Sequence, residues 1–132
     1  MSVMEKKNPF EEANRYVENA RKVLSENGEY DPSLHRYNDR KYVRAAGHYL
    51  WHAVLIALDA VFQVRKDHRT RVNIDAYRDA IRKRDLKLLT LVNDGYETLH
   101  LNMGYDGIQR KATCDDGFHI AIDIIERCAA LA

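Results

Sequence analysis

Hydrophobic positions along residues 42–64, YVRAAGHYLWHAVLIALDAVFQV, recur at helical spacing on an arc centred on Tyr42, Ala46, Tyr49, Ala53, Ala57, Ala60 and Val64. That arc is wider than one neighbouring helix covers, so the stretch is expected to be the central helix of an all-helical domain. A narrow polar stripe survives on it: Arg44, His48, His52, Asp59, Gln63 and Lys66 fall within roughly 100° of one another when wound as an α-helix. Beyond the stripe stand Trp51, Leu55, Leu58 and Phe62, which a solvated face does not ordinarily carry. They are the candidate interface, with further helices or with a second subunit.

The pattern predicts a helix before this one. Asn8 is placed to cap it, Pro9 sits where its missing N–H is harmless, and Glu11 gives a capping-box-like spacing. Phe10, Ala13, Val17, Ala20 and Leu24, flanked by Tyr16 and Val23, make one apolar face. Asn27 and Gly28 are expected to end it in the left-handed conformation. Residues 28–39 read as a loop, because Asp31 precedes a proline, and Asn38 or Asp39 can cap the central helix. That helix then spans 40–66, roughly 40 Å.

After it the apolar pattern lapses until Asn73, which can cap a short helix through Ile74, Tyr77, Ala80 and Ile81. Asp85 begins a longer one carrying Leu86, Leu89, Val92, Tyr96, Leu99 and Met103, with a weak middle turn at Asp94 and Gly95; a break there is the alternative. Gly104 is expected to end it, with a turn over 105–107. The last helix is expected after Thr113, whose spacing to Asp116 resembles a capping box, and to bury Phe118, Ala121, Ile122, Ile125 and Ala129. No stretch reads as a strand and no long repeat recurs. The sum is all-α: an antiparallel four-helix bundle with one additional short helix, in a single domain over residues 1–132.

Composition adds little to the architecture and more to the context. The chain has 132 residues and a formal net charge of +1, enough to bury an ordinary core without metal or disulfides. The start lacks an apolar run after its charges, so no leader is read there. The longest charge-free stretch of the central helix, residues 45–58, is too short and too polar to span a bilayer. Cys114 and Cys128 form no Cys-x-x-Cys pattern and read as reduced cysteines of a cytoplasmic protein. Charge is uneven: residues 65–87 carry nine Lys or Arg against four acids, and residues 88–132 carry three against seven. The two regions are suited to attract one another, within the fold or between subunits.

Three groups of residues could carry chemistry. His48 and His52 project from one helix face and could hold a metal with a third ligand such as His100 or His119. Tyr49 stands where a metalloprotease helix would have glutamate, however, so neither a metal nor another cofactor is expected. Tyr96, His100 and Tyr105 lie beside the turn at 104–107 and could form a polar ligand pocket with Arg44, His48 and His52 across the helices. The basic tract RKDHRTR at 65–71, continued by Arg78, Arg82, Lys83, Arg84 and Lys87, could meet nucleic acid; its interleaved acids favour a solvated, salt-bridged surface instead. Phosphate loops, nucleophile elbows and Cys–His arrangements are absent. The pattern therefore favours a binding or interaction module over an enzyme.

RKYVRAAGHYLWHAVLIALDAVF resembles the long helix of the HEPN superfamily of small bacterial helical bundles. GYETLHLNMGYDG and GFHIAIDII resemble segments of bacterial proteins with that fold, so the resemblance extends over most of the chain. It implies a homodimer. It also implies one of two roles, ribonuclease or non-catalytic partner of a nucleotidyltransferase. The nuclease motif is an Arg, four to six residues, then a His. Here three residues separate Arg44 from His48, seven separate it from His52, and eight separate Arg110 from His119. No catalytic residue can be carried over. The expected protein is a dimeric, HEPN-like binding module, and the rival is a divergent RNA-cleaving protein using Arg44 with His48 or His52.

Overall fold

The computed structural model describes residues 8–65 and 73–132. The polypeptide is predominantly helical. Helix α1 (Pro9–Asn27) starts as its sequence demands, with the Asn8 side chain accepting from the Phe10 N–H at 2.9 Å and Pro9 in the first turn. It buries Ala13, Val17, Ala20 and Leu24. Helix α2 (Arg40–Phe62) is capped by Asp39, which accepts from the Lys41 N–H, and ends at Gln63 in the left-handed conformation. Its end therefore falls short of Lys66, which lies outside the described residues, as does most of the basic tract at 65–71.

Helix α3 (Ile74–Arg82) is short and capped by Asn73. Its Tyr77 hydroxyl donates to Asp59 Oδ1 at 2.9 Å, and the Arg65 N–H donates to the same oxygen at 3.1 Å. One carboxylate thus ties the end of α2 to α3. Helix α4 (Leu86–Gly95) begins at Asp85 and runs without a break into a π-helical segment (Tyr96–Tyr105). Helix α5 (Lys111–Leu131) closes the chain.

Helix α2 is central: it packs against α1, α3, α5 and the π segment, and α5 also meets α1 and α4. One contiguous core results. Leu50, Val54 and Leu58 of α2 lie in it beside Leu24, Ile81, Leu88, Leu99 and Ile124, all essentially without exposure. Leu58 is consequently not available as an interface residue. Its side chain sits on the buried flank of α2, while Trp51, Leu55 and Phe62 stay partly exposed. By length and composition α2 could cross a membrane, which its charge-free stretch alone understates; eight of its residues are instead buried within the chain.

Several local expectations are corrected. Gly28 is right-handed (φ −72°), and the left-handed residue is Glu29. The glycine is needed for closeness: a Cβ there would stand 2.6 Å from the Leu24 carbonyl oxygen and 2.8 Å from the Tyr37 ring. The loop at 28–39 contains a small antiparallel hairpin, β1 (Tyr30–Asp31) with β2 (Arg36–Tyr37). Gly104 continues its helix, and Gly107 (φ +64°) makes the turn. Helix α5 starts at Lys111, ahead of Thr113, because the Lys111 N–H is already held by the His35 carbonyl at 2.9 Å. Ala129 is exposed, and Cys114, Gly117, Ile124 and Cys128 join its buried face.

Candidate functional site

A close approach between α2 and the π segment sets the site. Gly47 and Gly104 face each other so tightly that a Cβ on Gly47 would lie 2.5 Å from the Gly104 nitrogen. Two glycines allow the backbones to touch. His48, next along α2, then lies against Gly104, its ring atoms 3.6 Å from where a Cβ would be. One turn earlier on the π segment is His100.

The result is an open groove of about 560 Å³ between α1, α2 and the π segment, lined by Tyr16, Ala45, His48, Tyr49, Trp51, His52, Leu55 and His100. Its walls are mainly rings. Tyr16 packs on His52 with centroids 4.6 Å apart and on Tyr49 at 6.2 Å. On the opposite wall Trp51 meets His100 at 5.8 Å and Tyr96 at 5.8 Å, edge-on, and Tyr96 meets His100 at 5.2 Å. Arg78 covers the Tyr96 ring at 5.3 Å, a cation–π contact that ends the stack. A narrower cavity of about 290 Å³ adjoins on the far side of Trp51 and His100, reaching Tyr77 and Ile74 of α3.

The electrostatics favour neutral imidazoles. Burial, then the positive charge of Arg65, hold the His52 pKa below its ordinary value, against a pull from Glu12 and Asp59. Burial and the neighbouring His48 do the same to His100. The Nδ1 atom of His100 is buried without a hydrogen-bond partner, so a proton placed there would lose its water without gaining an acceptor. Among the described residues no group of three His, Cys, Asp or Glu side chains could hold a metal ion.

Of the six residues expected to form the pocket, His48, His52 and His100 share the groove, and Tyr96 lines the adjoining cavity. Arg44 and Tyr105 line neither. The Arg44 stem lies beside Gly107, and Tyr105 is 75% exposed. Arg44 is thus separated from the groove in which His48 and His52 sit. His119 is exposed on α5. Tyr16 was not among the expected pocket residues. Its place at the edge of the apolar face of α1 hinted at a half-buried ring, but only packing put it opposite His52.

The helices that build this groove lie within residues 8–130, which match the profile of the family described as Domain of unknown function (DUF5618). The chain belongs to that family. It is also similar to a solved structure described as a protein of unknown function from Dyadobacter fermentans, with 34% sequence identity and a TM-score of 0.82. That likeness covers 94% of this chain and 96% of the other. No curated protein matches the sequence. Both matches extend across α1, α2, the π segment and α5, so the surroundings of the groove belong to the shared portion.

Proposed function

We propose that this protein is a non-catalytic binding module that takes an uncharged, ring-bearing group into the groove between α1, α2 and the π segment. The observation that carries this reading is the wall of Tyr16, Tyr49, Trp51 and His100 around a space of about 560 Å³, within the size range of small-ligand sites. Stacking and edge contacts on such rings reward a flat apolar guest. His52 and His100, whose pKa values burial lowers, supply polar edges that favour an uncharged guest.

The finer architecture and setting are part of the same proposal. The four long helical runs pack as an antiparallel bundle of HEPN-like type, with α3 as the extra short helix. The buried, unpaired Cys114 and Cys128 suit a reducing cytoplasm. A homodimer is supported by three partly exposed apolar side chains of α2, Trp51 and Leu55 in the groove lining and Phe62 at the end of the helix. If a second copy covers Trp51 and Leu55, the ring-bearing guest is a side chain of that copy.

Trp51 is the single tryptophan, so its fluorescence reports this groove together with the cavity that adjoins it. Nitrobenzene, a neutral flat quencher, is expected to quench it saturably, and Leu55→Asp to abolish the saturable part while leaving helicity unchanged. Quenching that rises linearly, as it does for free tryptophan amide, would remove the proposal. Native mass spectrometry of the untagged protein gives the subunit number and any retained guest. A monomer would eliminate the dimer alone.

A further inference from the structure

A second concavity lies at the N-terminal end of α2, between the β1–β2 hairpin and the loop leading to α5. It encloses about 300 Å³. Three arginines enter it from three separate segments: Arg36 from β2, Arg40 from the first turn of α2, and Arg110 from the start of α5. Arg21, Arg65, Arg78, Arg82 and Arg127 are each paired with a carboxylate elsewhere on the protein. Among the described residues, Arg36, Arg40 and Arg110 have no such ion pair. The lining contains one carboxylate, Asp106.

The positions of these cations are built into the backbone. The Gln109 side-chain amide donates to the carbonyls of Tyr37 and Asn38, both at 3.0 Å, and its Oε1 accepts from Arg40 Nη2 at 3.2 Å. Arg36 Nε donates to Asn38 Oδ1 at 3.2 Å. An isolated antiparallel bridge joins Arg36 to Arg110, and the Tyr37 N–H donates to the Gln109 carbonyl at 2.9 Å. The left-handed turn at Gly107 lies on the Arg40 stem, where a Cβ would come within 2.5 Å of Arg40 Cγ. Leu34 and Ile108, 57% and 37% exposed, form an apolar rim.

Arg36, Arg40 and Arg110 are exposed cations lining one concavity; like charges on one lining favour a multivalent anion, and planar guanidinium forks match phosphate oxygens in pairs. We propose that this pocket binds a small phosphate monoester, with the phosphate on Arg36, Arg40 and Arg110 and the organic portion against Leu34 and Ile108. The site is separate from the aromatic groove, and its fate does not depend on it.

The full chain, labelled with ¹⁵N, is titrated with phenyl phosphate and with inorganic phosphate at constant ionic strength, following backbone and arginine Nε signals. Saturable shifts are expected at residues 36–40 and 106–111, with phenyl phosphate bound more tightly than inorganic phosphate. Arg40→Gln and Arg110→Gln should each weaken binding about tenfold, the loss of one charge-assisted contact, and Asp106→Asn should tighten it. Equal unfolding midpoints for these variants would exclude loss of fold as the cause. Shifts that are linear, or spread over every surface cation, would overturn the proposal. Vesicles of phosphatidic acid in phosphatidylcholine test the lipid source of the same chemistry; binding to them with no response to either soluble phosphate would also overturn the small-molecule assignment.

Discussion

Gly47 of α2 and Gly104 of the π segment meet backbone to backbone, leaving 2.5 Å between the Gly104 nitrogen and the place a Gly47 Cβ would take. A methyl group there has no flexible neighbour to displace, because Met103 Cβ and Gly104 Cα are the next atoms, at 2.7 and 2.9 Å. Gly47→Ala must therefore push two helices apart, at about 1–3 kcal/mol for an overpacked contact. Gly95→Ala meets only side-chain ends, Ile124 Cδ1 at 3.2 Å, Ile120 Cγ2 at 3.4 Å and Trp51 Cζ3 at 3.8 Å, and gains up to about 1 kcal/mol in helix propensity. Urea unfolding should show a clear loss for the first and a much smaller change for the second. Gly47→Ala should also alter Trp51 emission, since it moves one wall of the groove.

Stability should fall on mild acidification because of the groove histidines. The pKa values of His52 and His100 are lower in the fold than the ordinary value of 6.5, so the unfolded chain binds protons first as pH drops. Stability contributed by their neutral forms is fully present above 6.5 and is lost as pH falls through that value and the lower folded ones. Denaturation midpoints at pH 7.5 and 5 should differ in the wild type, and the difference should shrink in His52→Gln combined with His100→Gln. An unchanged difference would mean that other groups carry it.

Asp85 does two jobs that separate by mutation. Its Oδ1 accepts from the Leu88 N–H at 3.0 Å, capping α4, and its carboxylate holds Arg127 of α5 through bonds of 2.7 and 2.9 Å. Arg127 and the backbone donors hold its pKa below the ordinary carboxylate value, so this stability is present above that value and is lost as pH falls toward the folded one. Asp85→Asn keeps a capping oxygen and removes the ion pair. Asp85→Ala removes both and should be less stable than Asp85→Asn by about 1 kcal/mol, the ordinary worth of a cap. Equal midpoints would show that the cap contributes nothing.

The cysteines should be silent in the native state. Cys114 and Cys128 are fully buried and free, and burial pushes both thiols up to about 12. Thiolate is the reactive form, so modification by a disulfide reagent should wait on unfolding. Two thiols should react at once in denaturant and neither at a comparable rate in buffer. Rapid native labelling of either would contradict the packing of α5.

Much of the fold is legible in the sequence because capping and apolar periodicity act over a few residues. Asn8, Asn73 and Asp85 cap where the pattern places them, and of Asn38 and Asp39 it is Asp39 that caps α2; the wide apolar arc of residues 42–64 requires a helix with neighbours on several sides. What the chain alone leaves unread are distances between elements. The π segment is invisible to a 3.6-residue period, since its hydrogen bonds reach one residue further back, as in the Asp106 N–H to the Leu101 carbonyl. Gly104 looks like a helix stop, yet it serves close contact with Gly47, which the local sequence does not name; Gly28 does end α1, but in the right-handed conformation and pressed against the Tyr37 ring. Only tertiary packing placed Tyr16 opposite His52, brought His100 to Trp51, enclosed Leu58 and set the Arg44 stem against Gly107. Local chemistry fixes which side chains a helix presents; the contact of two backbones at Gly47 and Gly104 decides which of them meet.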